Sequence, residues 1–291
     1  MAASGVLNVR KPPGPTSFDV VRQVRRLTGQ RRVGHGGTLD PLAEGVLPVL
    51  LGRATRLSRY LLDLPKAYLV EALLGQATTT YDAQGQVTYE GDPATVSEEA
   101  LREALQSFRG QIRQVPPPFS AVKVAGHRAY DRARSGQPPQ LSPRTVQVYR
   151  LNLVEFRPPV LVLEVECGRG TYIRSLVHDL GLKLGCGAHV TRLVRTRVGP
   201  FLLAEAVPLG RLADEWQTRL LPPEVAVAHL PSAQLDDAQA RAVGHGRPLP
   251  LDALPGQAER LRVHDAQGNL VAVLRRDDSK GLWRPETVLT G

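Results

Sequence analysis

The order of its strand-like and helix-like segments constrains the fold of this chain most. Segments 145–156 and 160–167 read as two long consecutive strands, whereas helix-like segments at 16–27, 97–108 and 171–184 are scattered among the strands. Strict alternation of strand and helix would predict a parallel sheet, so its absence favours antiparallel pairing. We therefore predict an α+β fold with a mixed, largely antiparallel sheet and flanking helices.

Local signals place the ends of two helices and one loop. Thr16 or Ser17 can cap a helix whose valines share one face, and Gly29 follows its last residue. Thr171 is expected to cap a second helix. Residues 34–48 contain four glycines and read as a glycine-rich loop.

The composition changes near residues 222–231, which read as a proline-containing linker. Short strand-like runs at 261–264, 270–274 and 286–289 then indicate a small β-rich unit. A chain of 291 residues also suits one large and one small domain. We predict domains at 1–229 and 230–291.

The charge of the chain indicates a polyanionic partner. The formal net charge is +9, and 32 of the 37 basic residues are arginine. A basic excess favours RNA, DNA or acidic membrane surfaces, and arginine suits RNA because it binds phosphate bidentately and stacks on bases. A GC-rich genome would equally explain the arginine-to-lysine ratio, but not the sign of the charge.

Several classes of protein are excluded by what the sequence lacks. The two cysteines, Cys167 and Cys186, form no CxxC pair, so neither a disulfide-rich scaffold nor a structural zinc site is expected. The N-terminus does not resemble a signal peptide, and no apolar stretch approaches the ~18 residues of a membrane span. We expect a cytoplasmic protein with no membrane partner.

The segment from Gly34 to Pro48 carries the candidate chemistry. Its glycines allow the backbone to approach a ligand closely, and Asp40 precedes a proline, which favours an extended conformation. Read from the residues alone, this pattern supports only an anion- or nucleotide-binding loop. A cluster of arginines at 22–32 precedes it, and a basic excursion at about 117–144 follows later in the chain; both suit RNA contact.

The whole segment resembles the active-site signature of TruB-type tRNA pseudouridine synthases, G-H-x-G-x-L-D-P-x-A-x-G-x-L-P. Four further segments are similar to the family's motifs and occur in its order: residues 5–14, 66–70, 167–174 and 184–190. Over the last 60 or so residues the resemblance is weaker, and residues 230–291 resemble a short PUA RNA-binding domain.

The resemblance implies an activity, a mechanism and a partner. The activity is conversion of uridine-55 in the tRNA T-arm to pseudouridine, on a base flipped out of its stack. Asp40 corresponds to the family nucleophile; whether it attacks the sugar, attacks the base or removes a sugar proton stays open. No metal, redox or nucleotide cofactor is expected. The expected partner is the T-arm stem-loop of tRNA, bound by a monomer.

The resemblance also assigns the surrounding residues. Arg174 matches the arginine that pairs with the aspartate, and Tyr68 matches the tyrosine that stacks on the target base. Substrate contacts are implied for His35, Tyr172 and Leu193. Further RNA contacts are implied for Arg56, Lys123, Arg128, Arg132, Arg134 and Arg195, of which four lie in the excursion that resembles the family's RNA-binding thumb.

Other readings remain open from the sequence. Tyr68 and Leu193 also fit plain core packing, and Arg174 also fits a phosphate contact. The chain as a whole also fits a non-catalytic tRNA-binding protein, or a synthase that acts on a different RNA.

Overall fold

The computed structural model describes residues 3–120, 122–124, 127–134, 139–254 and 256–290. Its helices are α1 Ser17–Thr28, α2 Ser58–Asp63, α3 Glu98–Gln106, α4 Ala129–Arg134, α5 Ile173–Lys183, α6 Leu212–Glu215 and α7 Asp237–Gly244. Its strands are β1 Gly5–Lys11, β2 Val33–His35, β3 Glu44–Leu51, β4 Lys66–Leu74, β5 Gln76–Thr78, β6 Val87–Glu90, β7 Gly110–Gln114, β8 Lys123–Val124, β9 His127–Arg128, β10 Arg144–Arg157, β11 Val160–Cys167, β12 Ala188–Val198, β13 Phe201–Leu202, β14 Val207–Pro208, β15 Ser232–Gln234, β16 Leu249–Pro250, β17 Arg260–His264, β18 Leu270–Asp277 and β19 Leu282–Val288. No helix in these ranges is long and apolar enough to cross a membrane.

A mixed sheet organises the larger part of the chain. Its main path runs β14-β1-β3-β12-β4-β11-β10-β7, with β2 paired to β3 and β13 paired to β12. The β1–β14 and β3–β12 pairs are parallel, and the other pairs in this sheet are antiparallel. The predicted α+β fold with a largely antiparallel sheet is therefore confirmed.

Helices cover the sheet and produce its cores. Alternate residues of β4, from Tyr68 to Leu74, are buried in one cluster with residues of α3 and α5. At the other end of the sheet, β1 and β3 pack against Val20, Val21 and Val24 of α1. Burial of these apolar faces, at about 25 cal/mol per Å², is the main force that holds the helices on the sheet.

The two predicted helix starts have different outcomes. α1 begins after Thr16, whose side chain forms a capping box with Asp19, and Gly29 ends it at φ 65°. The expectation that Thr171 caps α5 is wrong, because Thr171 donates instead to the Gly168 carbonyl. The N-cap is Tyr172, whose backbone is bound by a distant side chain described below.

The glycine-rich segment is shorter as a loop than predicted. β3 already begins at Glu44, and every residue from Gly45 to Leu51 is buried because the strand lies inside the sheet. Gly45 has a φ of 112°, and a Cβ atom there would lie 2.2 Å from the Arg195 carbonyl oxygen. This position requires glycine, since it allows β3 to approach β12.

The C-terminal segment forms its own five-stranded sheet, ordered β15-β17-β18-β19-β16, with α7 packed on it. The segment 222–231, expected to be a linker, is packed rather than exposed, because Ala226 and Val227 are fully buried. They share one cluster with residues such as Leu57 of the larger part and Val273 and Leu289 of the C-terminal segment. The proposed domain boundary at 229/230 stays a prediction.

Candidate active site

Asp40 lies in the loop between β2 and β3. Its Oδ2 atom accepts a hydrogen bond from Nε of Arg174 at 2.8 Å, and 30% of its side chain remains exposed. No donor to Oδ1 is found among the residues that the structure describes. The carboxylate is therefore held on one oxygen and accessible on the other.

Arg174 is inaccessible to solvent in the first turn of α5, with 5% of its side chain exposed. Nη1 donates to the Thr80 carbonyl at 2.8 Å and lies 3.3 Å from Oδ2 of Asp82, and Nη2 donates to the Phe119 carbonyl at 3.0 Å. A buried guanidinium needs this set of partners, because an unpaired buried charge is strongly destabilising. Arg174 joins the motif loop to two other segments.

The backbone on both sides of Asp40 is fixed by side chains from the N-terminal region. The Ser17 hydroxyl donates to the Leu39 carbonyl at 3.0 Å and accepts from the Leu39 N–H at 2.8 Å. The Lys11 ammonium donates to the carbonyls of Pro12, Pro15 and Pro41, and burial lowers the pKa of Lys11 to about 8. Asp40 therefore sits in a loop whose shape is set before any ligand binds.

Arg195 supports the same loop from β12. Its side chain is 1% exposed and donates to the carbonyls of Val46 at 2.8 Å, Thr38 at 3.1 Å and Gly37 at 3.1 Å. The expectation of a direct RNA contact is therefore corrected, since the guanidinium faces the protein interior and its donors are used there.

Tyr68 lies on β4. It is directly opposite Arg195 in the antiparallel pairing of β4 with β12. The residue is 9% exposed, and burial raises the pKa of its hydroxyl to about 12, so the phenol is neutral at pH 7. Leu193, also on β12, is buried in the same cluster as Tyr68 and Leu39. These residues form an apolar wall next to the motif loop.

Tyr172 and His35 complete the surroundings of Asp40. The Gln114 side chain donates to the Tyr172 carbonyl at 3.0 Å and accepts from its N–H at 2.8 Å, and burial and then Asp40 raise the pKa of the half-buried Tyr172. Nδ1 of His35 accepts from the Gly37 N–H at 3.2 Å, which leaves the proton of the neutral ring on Nε2. Burial and Arg195 lower the pKa of His35.

The expected RNA contacts lie farther out. Arg56 is exposed, and Nη1 donates to the Val288 carbonyl at 2.6 Å, so it also ties the larger part of the chain to β19. Arg132 is half-buried and interacts within the protein. The side chains of Lys123, Arg128 and Arg134 lie outside the part of the chain that is described.

Sequence reasoning missed two members of the site. Asp82 lies in the turn between β5 and β6, far from the motif in sequence, and no spacing connects it with Asp40. Lys11 belongs to the opening segment that resembles the family's first motif. The resemblance therefore indicated that this segment matters, but it did not indicate the contacts of Lys11. Among the described residues no three His, Cys, Asp or Glu side chains come together as a metal site.

The comparison with family models places the chain in the class of pseudouridine synthases, to which the motif around Asp40 also points. The model of the N-terminal domain of TruB family pseudouridylate synthases matches residues 25–173. Two C-terminal models, of tRNA pseudouridylate synthase B and of tRNA pseudouridine synthase II, match residues 174–228 and 230–290. The chain belongs to the TruB family of pseudouridylate synthases, which are isomerases.

Similar proteins cover nearly the whole chain. A protein of Dehalococcoides mccartyi named tRNA pseudouridine synthase B is 45% identical over 294 residues, covering 98% of this chain and 96% of the relative. One of the same name from Haemophilus influenzae is 42% identical, covering 98% and 92%. A chain in the crystal structure of a Cbf5-Nop10-Gar1 complex matches with a TM-score of 0.78 at 32% identity, covering 98% of this chain and 85% of that one.

Proposed function

We propose that this chain converts uridine-55 in the T-arm of tRNA to pseudouridine, with Asp40 as the nucleophile. The observation that carries the proposal is the Asp40 carboxylate, bound on one oxygen by the buried Arg174 and accessible on the other. The relatives named tRNA pseudouridine synthase B support tRNA as the substrate.

The reaction breaks the bond between N1 of uracil and C1′ of ribose, turns the base, and forms a bond from C5 to C1′. The C5 proton is released and N1 gains a proton, so the product is an isomer of the substrate. A carboxylate suffices as nucleophile, because the detached base stays in the pocket and reacts with the same sugar. Arg174 orients the Asp40 carboxylate for this step through the hydrogen bond from Nε to Oδ2.

The pocket residues bind the flipped nucleotide. Tyr68 stacks on the uracil ring, Tyr172 and Leu193 line its other sides, and His35 lies beside the nucleotide. Unstacking a base costs a few kcal/mol, and one or two aromatic stacks at about 1–3 kcal/mol each offset that cost.

A positive surface next to the loop binds the RNA backbone. From Val20 to Leu39 the chain carries five arginines and no acidic residue, and all five arginines are exposed. Arg22 pairs with Asp19, whereas Arg25, Arg26, Arg31 and Arg32 make no ion pair within the described ranges. Basic residues of the last helical turn also stabilise α1 through its dipole, but Arg31 and Arg32 lie beyond the helix. Binding to RNA phosphates accounts for the exposed charges of Arg25 and Arg26 and also for those of Arg31 and Arg32.

The remaining expectations complete the proposal. Lys123, Arg128, Arg132 and Arg134 grip RNA from the thumb excursion, Arg56 adds a peripheral contact, and residues 230–291 act as a PUA-like RNA-binding unit. The protein acts as a monomer in the cytoplasm, which sedimentation and fractionation would check.

Mapping pseudouridine across total RNA tests the function. Cells that lack the gene should lose pseudouridine at tRNA position 55, and wild-type protein, but not Asp40→Asn, should restore it. Restoration by Asp40→Asn would indicate a non-catalytic RNA-binding role. Loss of pseudouridine only from another RNA would indicate a synthase of different specificity.

A further inference from the structure

Tyr81 has an unusual backbone conformation beside the candidate active site. Its φ is 64°, and it is the only non-glycine residue in the described ranges with a positive φ. A bulky residue rarely adopts this left-handed conformation without compensation, and such residues concentrate at functional sites. Tyr81 lies between Thr80 and Asp82, the two residues of this turn that bind Arg174.

The Tyr81 ring is stacked on His178. The ring centroids are 3.7 Å apart, and the planes differ by 8°. His178 is on α5, one turn after Arg174, and residues four apart lie on the same helix face. This face of α5 therefore binds three consecutive residues: Arg174 holds Thr80 and Asp82, and His178 holds Tyr81.

The contact of His178 with the turn is made by its ring face. Burial lowers the pKa of His178, so the ring is neutral at pH 7, and its buried Nδ1 atom has no hydrogen-bond partner in the described part of the chain. A neutral imidazole brings no second positive charge next to Arg174. Asp179, the neighbouring acid, is itself shifted towards neutrality, because burial raises its pKa to about 6.

We propose that the Tyr81–His178 stack is a positioning device for the active site. It holds Tyr81 in the left-handed conformation, and this presents the Thr80 carbonyl and the Asp82 carboxylate to Arg174, which in turn orients Asp40. Without the stack, Tyr81 relaxes towards negative φ, and the two partners of Arg174 in this turn, Thr80 and Asp82, move. His178 is thus a positioning residue that touches no substrate. The inference rests on the proposed function of Asp40.

The first test compares two substitutions of His178 by tritium release from tRNA labelled at uracil C5. His178→Ala should lower kcat about tenfold, which is about 1.4 kcal/mol, and leave KM within about twofold. His178→Phe keeps a flat ring and should retain kcat within about threefold of wild type. Leu182→Ala changes an exposed residue of the same helix and serves as the control. Thermal unfolding of each variant confirms that it is folded at the assay temperature.

A double-mutant cycle separates the stack from the helix. Glycine adopts positive φ without strain, so on a Tyr81→Gly background the turn no longer needs the ring of His178. Adding His178→Ala to Tyr81→Gly should therefore change kcat less than about twofold. The inference would be overturned if His178→Ala lowered kcat tenfold in both backgrounds. It would also be overturned if His178→Ala and His178→Phe were equally impaired, or if His178→Ala left kcat unchanged. An inactive wild-type protein would instead contradict the proposed function.

Discussion

Arg174 and Asp40 lie 134 positions apart in the sequence, and their side chains meet at 2.8 Å. The contact joins the N-terminal end of α5 to the motif loop. Because the same guanidinium also binds Asp82 and two carbonyls, its position does not depend on Asp40 alone. A change at Asp40 should therefore affect chemistry more than structure.

Asp40→Asn should abolish tritium release from C5-labelled tRNA. Asparagine is nearly isosteric but a very poor nucleophile, whereas Arg174 retains Asp82 as its countercharge. We expect a loss of about 1–2 kcal/mol in the free energy of unfolding and tRNA affinity within about one order of magnitude of wild type.

The matched control is Glu44→Gln. Glu44 is the other carboxylate of the motif, but it pairs with Arg10 and Arg192 away from Asp40. This variant should keep its activity. Substantial release from Asp40→Asn would refute the nucleophile assignment.

Two substitutions of Tyr68 separate its ring from its hydroxyl. If the ring only stacks on the base, Tyr68→Phe should stay nearly active and Tyr68→Leu should lose activity, by about the 1–3 kcal/mol of one stack. If the hydroxyl moves a proton, Tyr68→Phe should be badly impaired while it still binds RNA. Single-turnover rates decide between these outcomes, and normal rates in both variants would remove Tyr68 from the site.

Tyr68 should also contribute to alkaline unfolding. Its folded pKa of about 12 exceeds the ordinary value of 10.0, so between these values the unfolded chain loses the phenolic proton while the folded chain keeps it. The contribution is full below pH 10 and is lost as the pH rises to about 12. Urea midpoints measured from pH 9 to 11 should therefore fall less steeply for Tyr68→Phe than for wild type. Parallel curves would contradict the assigned pKa.

Arg195→Lys tests whether Arg195 serves the loop or the RNA. Lysine lacks the planar guanidinium of arginine and cannot donate to all three carbonyls. Each buried carbonyl that loses its donor should lower the free energy of unfolding by about 1–3 kcal/mol. We expect a lower melting temperature and a lower kcat, with an unchanged salt dependence of tRNA binding. A reduced salt slope would instead place Arg195 against phosphate.

Arg31→Gln/Arg32→Gln should weaken tRNA binding without lowering kcat. The loss of two phosphate contacts should reduce the slope of log affinity against log salt by roughly 1.4–1.8. The control is Arg102→Gln/Arg157→Gln, which removes the same charge from two exposed arginines already paired with glutamates. Equal effects of the two pairs would show that only net charge matters.

The sequence predicted those features whose causes are local. α1 was bounded correctly because its capping box and its terminal glycine are neighbours of the helix. The expected cap of α5, Thr171, is wrong because the N-cap is Tyr172. Gln114, on β7, binds the backbone of Tyr172. Only the folded sheet brings these two residues together.

The site divides in the same way. The motif identified Asp40, and the resemblance paired it with Arg174, because both lie in continuous signatures. The Arg174–Asp82 contact and the hydrogen bond from Lys11 to the Pro41 carbonyl join segments that are distant in the chain. Periodicity and spacing therefore do not predict these contacts. The resemblance implied an RNA contact for Arg195, whereas its burial follows from the close pairing of β12 with β3 at Gly45.

The buried cluster that joins residues 222–231 to both sheets has a consequence for substrate capture. Leu57 and Leu289 pack in one core, and Tyr60 on α2 donates to Glu286 on β19 at 3.0 Å. Under the proposed function, an RNA bound at the motif loop therefore meets residues 230–291 across this packed core rather than across an exposed linker. Under the same proposal, RNA binding by residues 230–291 becomes an intramolecular step, and its effective concentration depends on packing rather than on linker length.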